Sequence, residues 1–151
     1  MIAWRITEPS RVALDGEESK AKGGRWHCAG RPLVYAASSC ALATLEFLAH
    51  LEDDSPHDLV AMRIEIPDEL RVDEVEAHAL PADWRTPEHP DCRACGQRWL
   101  ERPVERRAAV LRVPSAVVPL ESNLLIDPAH PDARAIRVAE VHDYKLDARV
   151  T

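Results

Sequence analysis

The sequence predicts a single α+β domain. Its 151 residues suit one domain of ordinary size. A hydrophobic content of 46% is enough for a core that needs neither a structural metal nor disulfides. Candidate strands outnumber candidate helices and do not alternate with them regularly. This order favours α+β architecture over a doubly wound parallel sheet.

Short apolar or alternating segments predict the strands. They lie at 4–7, 33–36, 59–66, 109–113, 116–118 and 136–141. Between the third and fourth strands, the proline-rich stretch 79–90 predicts a long loop. A short helix, interrupted near Pro103, is expected over 97–107.

The helix with the clearest start signal covers 40–51. It follows Ser38 and Ser39, and either side chain can cap it. On a helical wheel one arc carries apolar residues and is expected to face the core, namely Ala41, Leu42, Leu45, Leu48 and Ala49. Glu46 falls at the border of this arc, where a carboxylate needs a partner. Either His50, at i,i+4 spacing, or a ligand can supply that partner.

Charge and cysteine content narrow the classes of function. A net charge of −7 argues against nonspecific nucleic-acid binding, so an anion would need a local cluster of arginines. Four cysteines in a chain this long do not resemble a secreted disulfide framework, and we expect reduced thiols. No apolar stretch approaches the roughly 18 residues of a membrane span. Because the first residues also lack a signal-peptide pattern, we expect a cytoplasmic protein.

Three polar residues around the second strand are candidates for ligand binding. Arg25 follows two glycines and offers a planar fork of donors suited to phosphate, although a surface arginine in a turn has the same pattern. Tyr35 can stack on a flat heterocycle or fill a sheet edge. Arg25, Tyr35 and Glu46 are 10 and 11 residues apart. This spacing raises the question of whether the three converge on one ligand.

A second polar cluster offers small hydrogen-bonding groups. Ser122 and Asn123 lie between apolar segments, where they can bind a ligand. The turn signals Asp127-Pro128 and His130-Pro131 follow them and are typical of a rigid corner.

A zinc-dependent deaminase is an alternative reading of other residues. His50-Leu51-Glu52, with Cys92 and Cys95 after Pro90, is similar to the signature H-x-E…P-C-x-x-C. In that chemistry two thiolates and one imidazole hold zinc while the glutamate moves protons. Here Asp91 separates the proline from the first cysteine, and the histidine ends a helix rather than opening one.

Together these segments resemble the RES domain, a family named for its arginine, glutamate and serine. The matching pieces occur in the family's order and cover nearly the whole chain: GGRW, PLVYAASS, LPADW, GQRWL, VPSAVVPLESNLLIDPAHPD and LDARV. The resemblance implies one RES domain over 1–151. It also implies an ADP-ribosyltransferase-like fold, with a split β-sheet core and short flanking helices.

The resemblance further implies an activity and a partner. Such a protein would be the toxin of a type II toxin–antitoxin pair, with NAD as its substrate and no metal. It would transfer ADP-ribose to water or phosphate, or alternatively to a protein acceptor. Its partner would be an Xre-like helix-turn-helix antitoxin whose C-terminal part covers the active site. An alternative function, from a different class, is a non-catalytic module that binds NAD.

The family's functional residues can be carried over position by position. They fall on Arg25, Tyr35, Glu46 and Ser122, with Arg5 as an additional arginine expected to touch NAD. Asn123, beside the serine, is a further candidate contact from its residue type. The arginines would hold the pyrophosphate, the tyrosine the ring, and the glutamate and serine the ribose. His27 and Asp127 stand where the family often has asparagine. Asp127 is expected to add negative charge near the site.

Overall fold

A mixed β-sheet forms the centre of the computed structural model, which describes residues 1–52 and 58–150. The strands are β1 Ile2–Thr7, β2 Val34–Ala37, β3 Leu59–Glu65, β4 Val72–Glu74, β5 Val110–Pro114, β6 Ser122–Ile126 and β7 Arg137–Tyr144. The α-helices are α1 Glu17–Lys20, α2 Cys40–Ala49 and α3 Pro90–Glu101. Short 3₁₀ turns lie at Pro9–Arg11, Ala77–Ala79, Val104–Arg106, Pro131–Ala135 and Ala148–Val150.

The seven strands are ordered β4-β5-β6-β2-β1-β3-β7, and the sheet is nearly divided between β1 and β2. Strand β1 pairs with β3 along its whole length, from Ile2 to Thr7. It meets β2 at a single pair, Trp4 with Ala37. Two half-sheets, β4-β5-β6-β2 and β1-β3-β7, therefore join along a narrow seam. This arrangement confirms the predicted α+β class and its split sheet.

Strand alternation gives the sheet two faces. One face, which we call the helix face, lies under α3 and α2. It carries the buried side chains Leu111, Val113 and Leu125 near α3, and Ile6, Ala37, Leu59 and Ala61 near α2. The opposite face buries Ala3, Val34, Ala36, Val60, Met62, Ile64, Leu124 and Ile126. Any side chain on a strand can therefore be assigned to one face by its register.

Helix α2 packs on the sheet with a different arc from the one predicted. Its cap is Ser39, whose Oγ accepts a hydrogen bond from the Leu42 N–H at 3.0 Å. Leu42 and Ala43 are buried, whereas Leu45 is 43% exposed. Because nearly every position of α2 is apolar, periodicity does not identify the buried side. The side of α2 that packs on the sheet includes Glu46, which is half-buried.

Helix α3 begins at Pro90, well before the predicted start at residue 97. The ring Nδ1 of His89 accepts a hydrogen bond from the Asp91 N–H at 3.1 Å and so caps the helix. Proline suits the first turn because its missing N–H has no partner there. At Gly96 a Cβ would collide with the main-chain oxygen of Trp26, so glycine permits this close packing.

Two further differences concern strands. Residues 116–118 form a turn rather than the predicted strand, because the N–H groups of Val117 and Val118 donate to Ser115 Oγ. Strands β4 and β6 were not predicted; β4 has only three residues, and β6 contains polar residues at its start. Within the described ranges, no helix is long and apolar enough to span a membrane.

Candidate active site

Glu46 lies at the centre of a hydrogen-bonded group on the helix face. Its Oε1 accepts hydrogen bonds from Ser115 Oγ and Asn123 Nδ2, each at 2.7 Å. Its Oε2 has no hydrogen-bond partner among residues 1–52 and 58–150. The Nδ1–H of His50 donates instead to the main-chain oxygen of Glu46, at 2.7 Å, so of the two partners considered for the carboxylate the histidine is not used. One carboxylate oxygen is thus anchored while the other can meet a ligand.

Ser115 is fixed from both sides. It is fully buried, and its Oγ accepts hydrogen bonds from the N–H groups of Val117 at 3.1 Å and Val118 at 3.0 Å. Its own O–H donates to Glu46. Since a hydroxyl offers one donor and two acceptor positions, all of them are used. The turn after β5 therefore sets the direction in which the hydroxyl points.

Asn123 supplies the second hydrogen bond to Glu46 and keeps one polar atom unused. It lies on β6 and pairs with Ala37 of β2, which places it on the helix face. Its Oδ1 is buried without a hydrogen-bond partner in the described part of the chain. An unpaired buried acceptor is unfavourable, so a hydrogen-bond donor on a ligand fits this position.

The structure does not bring Ser122 to Glu46. Ser122 precedes Asn123 on β6, so its side chain points to the opposite face. Its main-chain oxygen accepts the Ser38 N–H at 3.1 Å. The hydroxyl that contacts the glutamate belongs to Ser115, which the sequence analysis missed. A serine that directly follows a strand and precedes a turn is a signal for such side-chain-to-backbone bonding.

Tyr35 lies on β2, two residues before Ala37, which is the register partner of Asn123, so Tyr35 and Asn123 share a face. Its hydroxyl accepts the Trp26 N–H at 3.3 Å and donates to Nδ1 of His27 at 2.7 Å. The donor at His27 is Nε2–H, which bonds the main-chain oxygen of Arg31 at 3.0 Å and leaves Nδ1 to accept. Burial raises the pKa of Tyr35 and lowers the pKa of His27. Both groups are therefore held neutral, and the phenol ring rather than its hydroxyl is left for a ligand.

Arg25 follows a turn that packs on Tyr35. A Cβ on Gly24 would collide with the tyrosine hydroxyl, so this close approach requires glycine. The two terminal nitrogens of Arg25 donate to the main-chain oxygens of residues 84, 85 and 86, at 3.0, 3.4 and 3.1 Å. Arg25 therefore lies beside Tyr35, as expected, and also holds the segment 84–86 in place.

Arg5 lies apart from these residues. It pairs with Met62, which places its side chain on the opposite face of the sheet. There it forms an ion pair with Glu18 and lines a cavity of about 300 Å³ with Ser10, Arg11, Ala13, Asp15, Glu17 and Glu18. Burial lowers the pKa of Arg5, while Glu18 acts in the other direction. The thickness of the sheet separates Arg5 from the Glu46 group.

Asp127 does not add charge to the site, contrary to expectation. It is fully buried and forms ion pairs with Arg107 at 2.8 Å and Arg31 at 3.4 Å. Its Oδ1 also accepts the Ala129 N–H at 3.0 Å. These contacts neutralise the carboxylate within the corner that follows β6.

The cysteines of the C-x-x-C spacing lie on α3. Cys92 is buried, and its Sγ donates to the main-chain oxygen of Trp84 at 3.5 Å. Burial raises the pKa of both Cys92 and Cys95, which favours the thiol form. In the part of the chain that the structure describes, no group of three or more His, Cys, Asp or Glu side chains could hold a metal ion. Cys92 contributes to the core under α3.

The sequence of the chain is similar to those of known proteins. A family model described as "RES domain" matches residues 2–147. The "Prs ADP-ribosylating toxin" of Sphingobium sp. is 39% identical over 155 residues, covering 97% of this chain and 94% of the relative. "Toxin Res" of Pseudomonas putida is 40% identical over 154 residues, covering 99% of each protein.

A solved structure gives the same result for the fold. In the crystal structure of the M. tuberculosis MbcT–MbcA toxin–antitoxin complex, one chain superposes with a TM-score of 0.75 at 20% identity. The match covers 95% of this chain and 84% of that one. From the family model and the extent of identity to its relatives, we conclude that the chain belongs to the RES domain family.

Proposed function

We propose that this protein is the toxin of a toxin–antitoxin pair and that it cleaves the nicotinamide–ribose bond of NAD. The observation that carries the proposal is the Glu46 carboxylate, anchored at Oε1 and open at Oε2. Membership of the RES family and relatives named as toxins, one of them ADP-ribosylating, support it.

Cleavage of the nicotinamide–ribose bond would be favoured by such a carboxylate. Cleavage of a glycosidic bond passes through an oxocarbenium-like state, which a nearby negative charge stabilises. Oε2 of Glu46 can face the ribose, where it can also accept a hydroxyl. Asn123 Oδ1 offers a second acceptor at the same place. Because Ser115 and Asn123 hold Oε1, the carboxylate does not need to reorganise during the reaction.

The other residues bind rather than transfer protons. Nicotinamide leaves as a neutral molecule, so a strong general acid is not required. The Tyr35 ring, whose hydroxyl is committed to His27, is suited to packing against the pyridine ring. We assign the pyrophosphate to Arg25 beside it, through the two of its five N–H groups that the main-chain oxygens of residues 84–86 leave free.

The acceptor of ADP-ribose distinguishes two forms of the proposal. Water or phosphate as acceptor would deplete NAD. Transfer to a protein side chain is the second candidate, because the relative that is 39% identical is named as an ADP-ribosylating toxin. Detection of ADP-ribose, ADP-ribose phosphate or a modified protein by mass spectrometry separates these products.

The test is the Glu46→Gln variant, with Glu52→Gln as an exposed control just beyond the same helix. Nicotinamide release should fall by about a hundredfold or more in kcat, with a smaller change in KM, because the charge acts in the transition state. The control should keep the wild-type rate. Wild-type turnover by a folded Glu46→Gln protein would contradict the mechanism. NAD binding without turnover by the wild type would instead favour a non-catalytic module.

We further propose an Xre-like antitoxin as the partner, with its C-terminal part covering the Glu46 group. The structural neighbour was solved as a toxin–antitoxin complex, which supports a partner of this kind. The purified complex should fail to bind NAD, and an antitoxin shortened at its C-terminus should no longer protect cells. Undiminished NAD binding by the intact complex would contradict occlusion.

A further inference from the structure

Three arginines near the start of α3 have no acidic partner among the residues that the structure describes. Arg25, Arg85 and Arg93 surround the Gly24 turn and the segment 84–86. None of them forms an ion pair with any residue in 1–52 or 58–150, whereas Arg5 does so on the opposite face. The side chain of Arg25 bonds the main chain of Arg85, and that of Arg93 bonds the residue before Arg25. Three arginines without an ion pair in the described residues are therefore linked in space on a protein whose net charge is −7.

Arg85 and Arg93 share one geometry. Arg85 Nε donates to the main-chain oxygen of Ala116 at 2.9 Å, and Arg93 Nε donates to that of Gly24 at 3.4 Å. Neither residue has a hydrogen-bond partner at its terminal nitrogens within the described chain. The bond at Nε orients each guanidinium and leaves its end-on pair of N–H donors unused. Such a pair matches two oxygens of a phosphate group.

Both guanidinium groups belong to the neighbourhood of Glu46. Arg85 bonds the residue that directly follows Ser115, and Ser115 contacts Glu46. Arg93 bonds the residue that directly precedes Arg25. The positive charges of Arg93 and Arg25 also act on Tyr35, lowering its pKa against the larger effect of burial. The unused donors therefore surround the residues proposed to bind the nicotinamide half of NAD.

Electrostatics favours an anion at this place and not at Arg5. Adjacent cations repel one another, and a bound anion relieves that repulsion. The cavity at Arg5 is lined by three carboxylates, from Asp15, Glu17 and Glu18, against two guanidinium groups, from Arg5 and Arg11, so its excess of negative charge opposes a phosphate. For the anion-binding role expected of Arg5, the arginines on the helix-face side, Arg25, Arg85 and Arg93, are therefore better placed.

We propose that Arg85 and Arg93, together with Arg25, form a subsite for a phosphate group. The inference rests on the proposed function, in which such a group comes from one of two sources. It is either the diphosphate of the dinucleotide or free orthophosphate acting as the acceptor of ADP-ribose. Both sources present the same oxygens to the guanidinium groups.

The test compares Arg85→Gln and Arg93→Gln with Arg98→Gln, an exposed arginine later on α3 that also has no ion pair in the described residues. Calorimetry at constant ionic strength measures binding of ADP-ribose, inorganic pyrophosphate and adenosine. If the subsite holds the diphosphate, each of the first two variants should bind ADP-ribose and pyrophosphate about tenfold more weakly. Adenosine binding should not change, and the control should match the wild type.

A second arm separates the two sources. If orthophosphate accelerates NAD loss in the wild type and not in Arg85→Gln, while ADP-ribose affinity is kept, the subsite serves the acceptor. Loss of ADP-ribose affinity assigns it to the diphosphate. Unchanged behaviour of both variants in both arms would overturn the subsite, even if the wild type consumes NAD. Conversely, a wild type that binds pyrophosphate through these arginines without consuming NAD would contradict only the proposed function.

Discussion

Ser115 and Glu46 are 69 positions apart in the chain, yet a hydrogen bond of 2.7 Å joins their side chains. The serine hydroxyl is itself held by two N–H groups of the turn that follows β5. The position of the carboxylate on α2 therefore depends on a turn that belongs to a different part of the sheet. Substitutions in that turn should affect the chemistry as well as the stability.

Replacing Ser115 by alanine should impair both properties. The change removes a donor from Glu46 and leaves the N–H groups of Val117 and Val118 without their acceptor. We expect the free energy of unfolding to fall by about 1–3 kcal/mol and kcat for NAD loss to fall by about tenfold or more. Denaturant titration and nicotinamide release measure these effects. Ser122→Ala is the matched control and should behave like the wild type; the reverse pattern would restore Ser122 to the site.

Replacing Arg25 by lysine keeps the charge but loses the planar fork. One ammonium group cannot reproduce the geometry that holds the oxygens of residues 84–86. We expect faster amide exchange in this segment and a loss of about 1.5–3 kcal/mol in NAD binding. Hydrogen exchange and calorimetry test the two effects, with Arg98→Lys as control. Normal NAD affinity in the variant would contradict the assignment of Arg25 to the phosphate.

His27 should make the protein less stable in acid. Burial, and then the charges of Arg93 and Arg31, lower the pKa of His27 below its ordinary value of 6.5. Below that value the unfolded chain binds a proton that the folded protein resists, so stability falls as the pH drops. Above it both states are neutral and the contribution disappears. The slope due to this group is at most about 1.4 kcal/mol per pH unit.

The His27→Asn variant tests this assignment. Asparagine can still accept from the Tyr35 hydroxyl, but it does not titrate. Denaturation midpoints at about pH 8 and about pH 5 should differ less in this variant than in the wild type. His78→Asn, at an exposed position, should retain the wild-type difference. Identical pH dependence in wild type and His27→Asn would show that another group is responsible.

Catalysis should require neither a thiol nor a metal ion. Replacement of both Cys92 and Cys95 by serine should leave NAD loss within about a few-fold of the wild type, because nicotinamide needs no Lewis acid to leave. The buried Cys92 should account for most of the stability that is lost, about 1–3 kcal/mol. Cys28→Ser, at an exposed position, is the control for stability. Inactivation by a chelator, or stoichiometric zinc in the native protein, would support the deaminase alternative.

The sequence predicted several elements because their signals are local. Strands β1, β2 and β3 are short apolar or alternating runs bounded by polar residues and proline, and Ser39 is a conventional helix cap. The face that α2 buries was not predictable in this way. Nearly all its residues are apolar, so only the packing on the sheet distinguishes Leu42 from Leu45.

The site depends on relations that the linear sequence does not contain. Glu46, Tyr35, Arg25 and Asn123 were chosen as candidates from residue type and family pattern, and all but Arg25 lie on elements whose register or packing places them on the helix face. The assignment of Arg5 and Ser122, however, turns on which way a strand residue points. That direction follows from the register with neighbouring strands, where one step moves a side chain through the sheet. The role proposed for Arg85 in phosphate binding depends on its contact with the main-chain oxygen of Ala116, which no local sequence pattern predicts.

The seam between β1 and β2 has a consequence for how the protein can open. Only one residue pair is in register there, and α2 packs over both strands, in one apolar cluster with Ile6 on β1 and Ala37 on β2. Helix α2 therefore bridges the two half-sheets, and the same helix carries Glu46. If the half-sheets parted and α2 stayed with β1, Glu46 would lose its hydrogen bonds to Ser115 and Asn123, and the proposed chemistry would lose its positioned carboxylate.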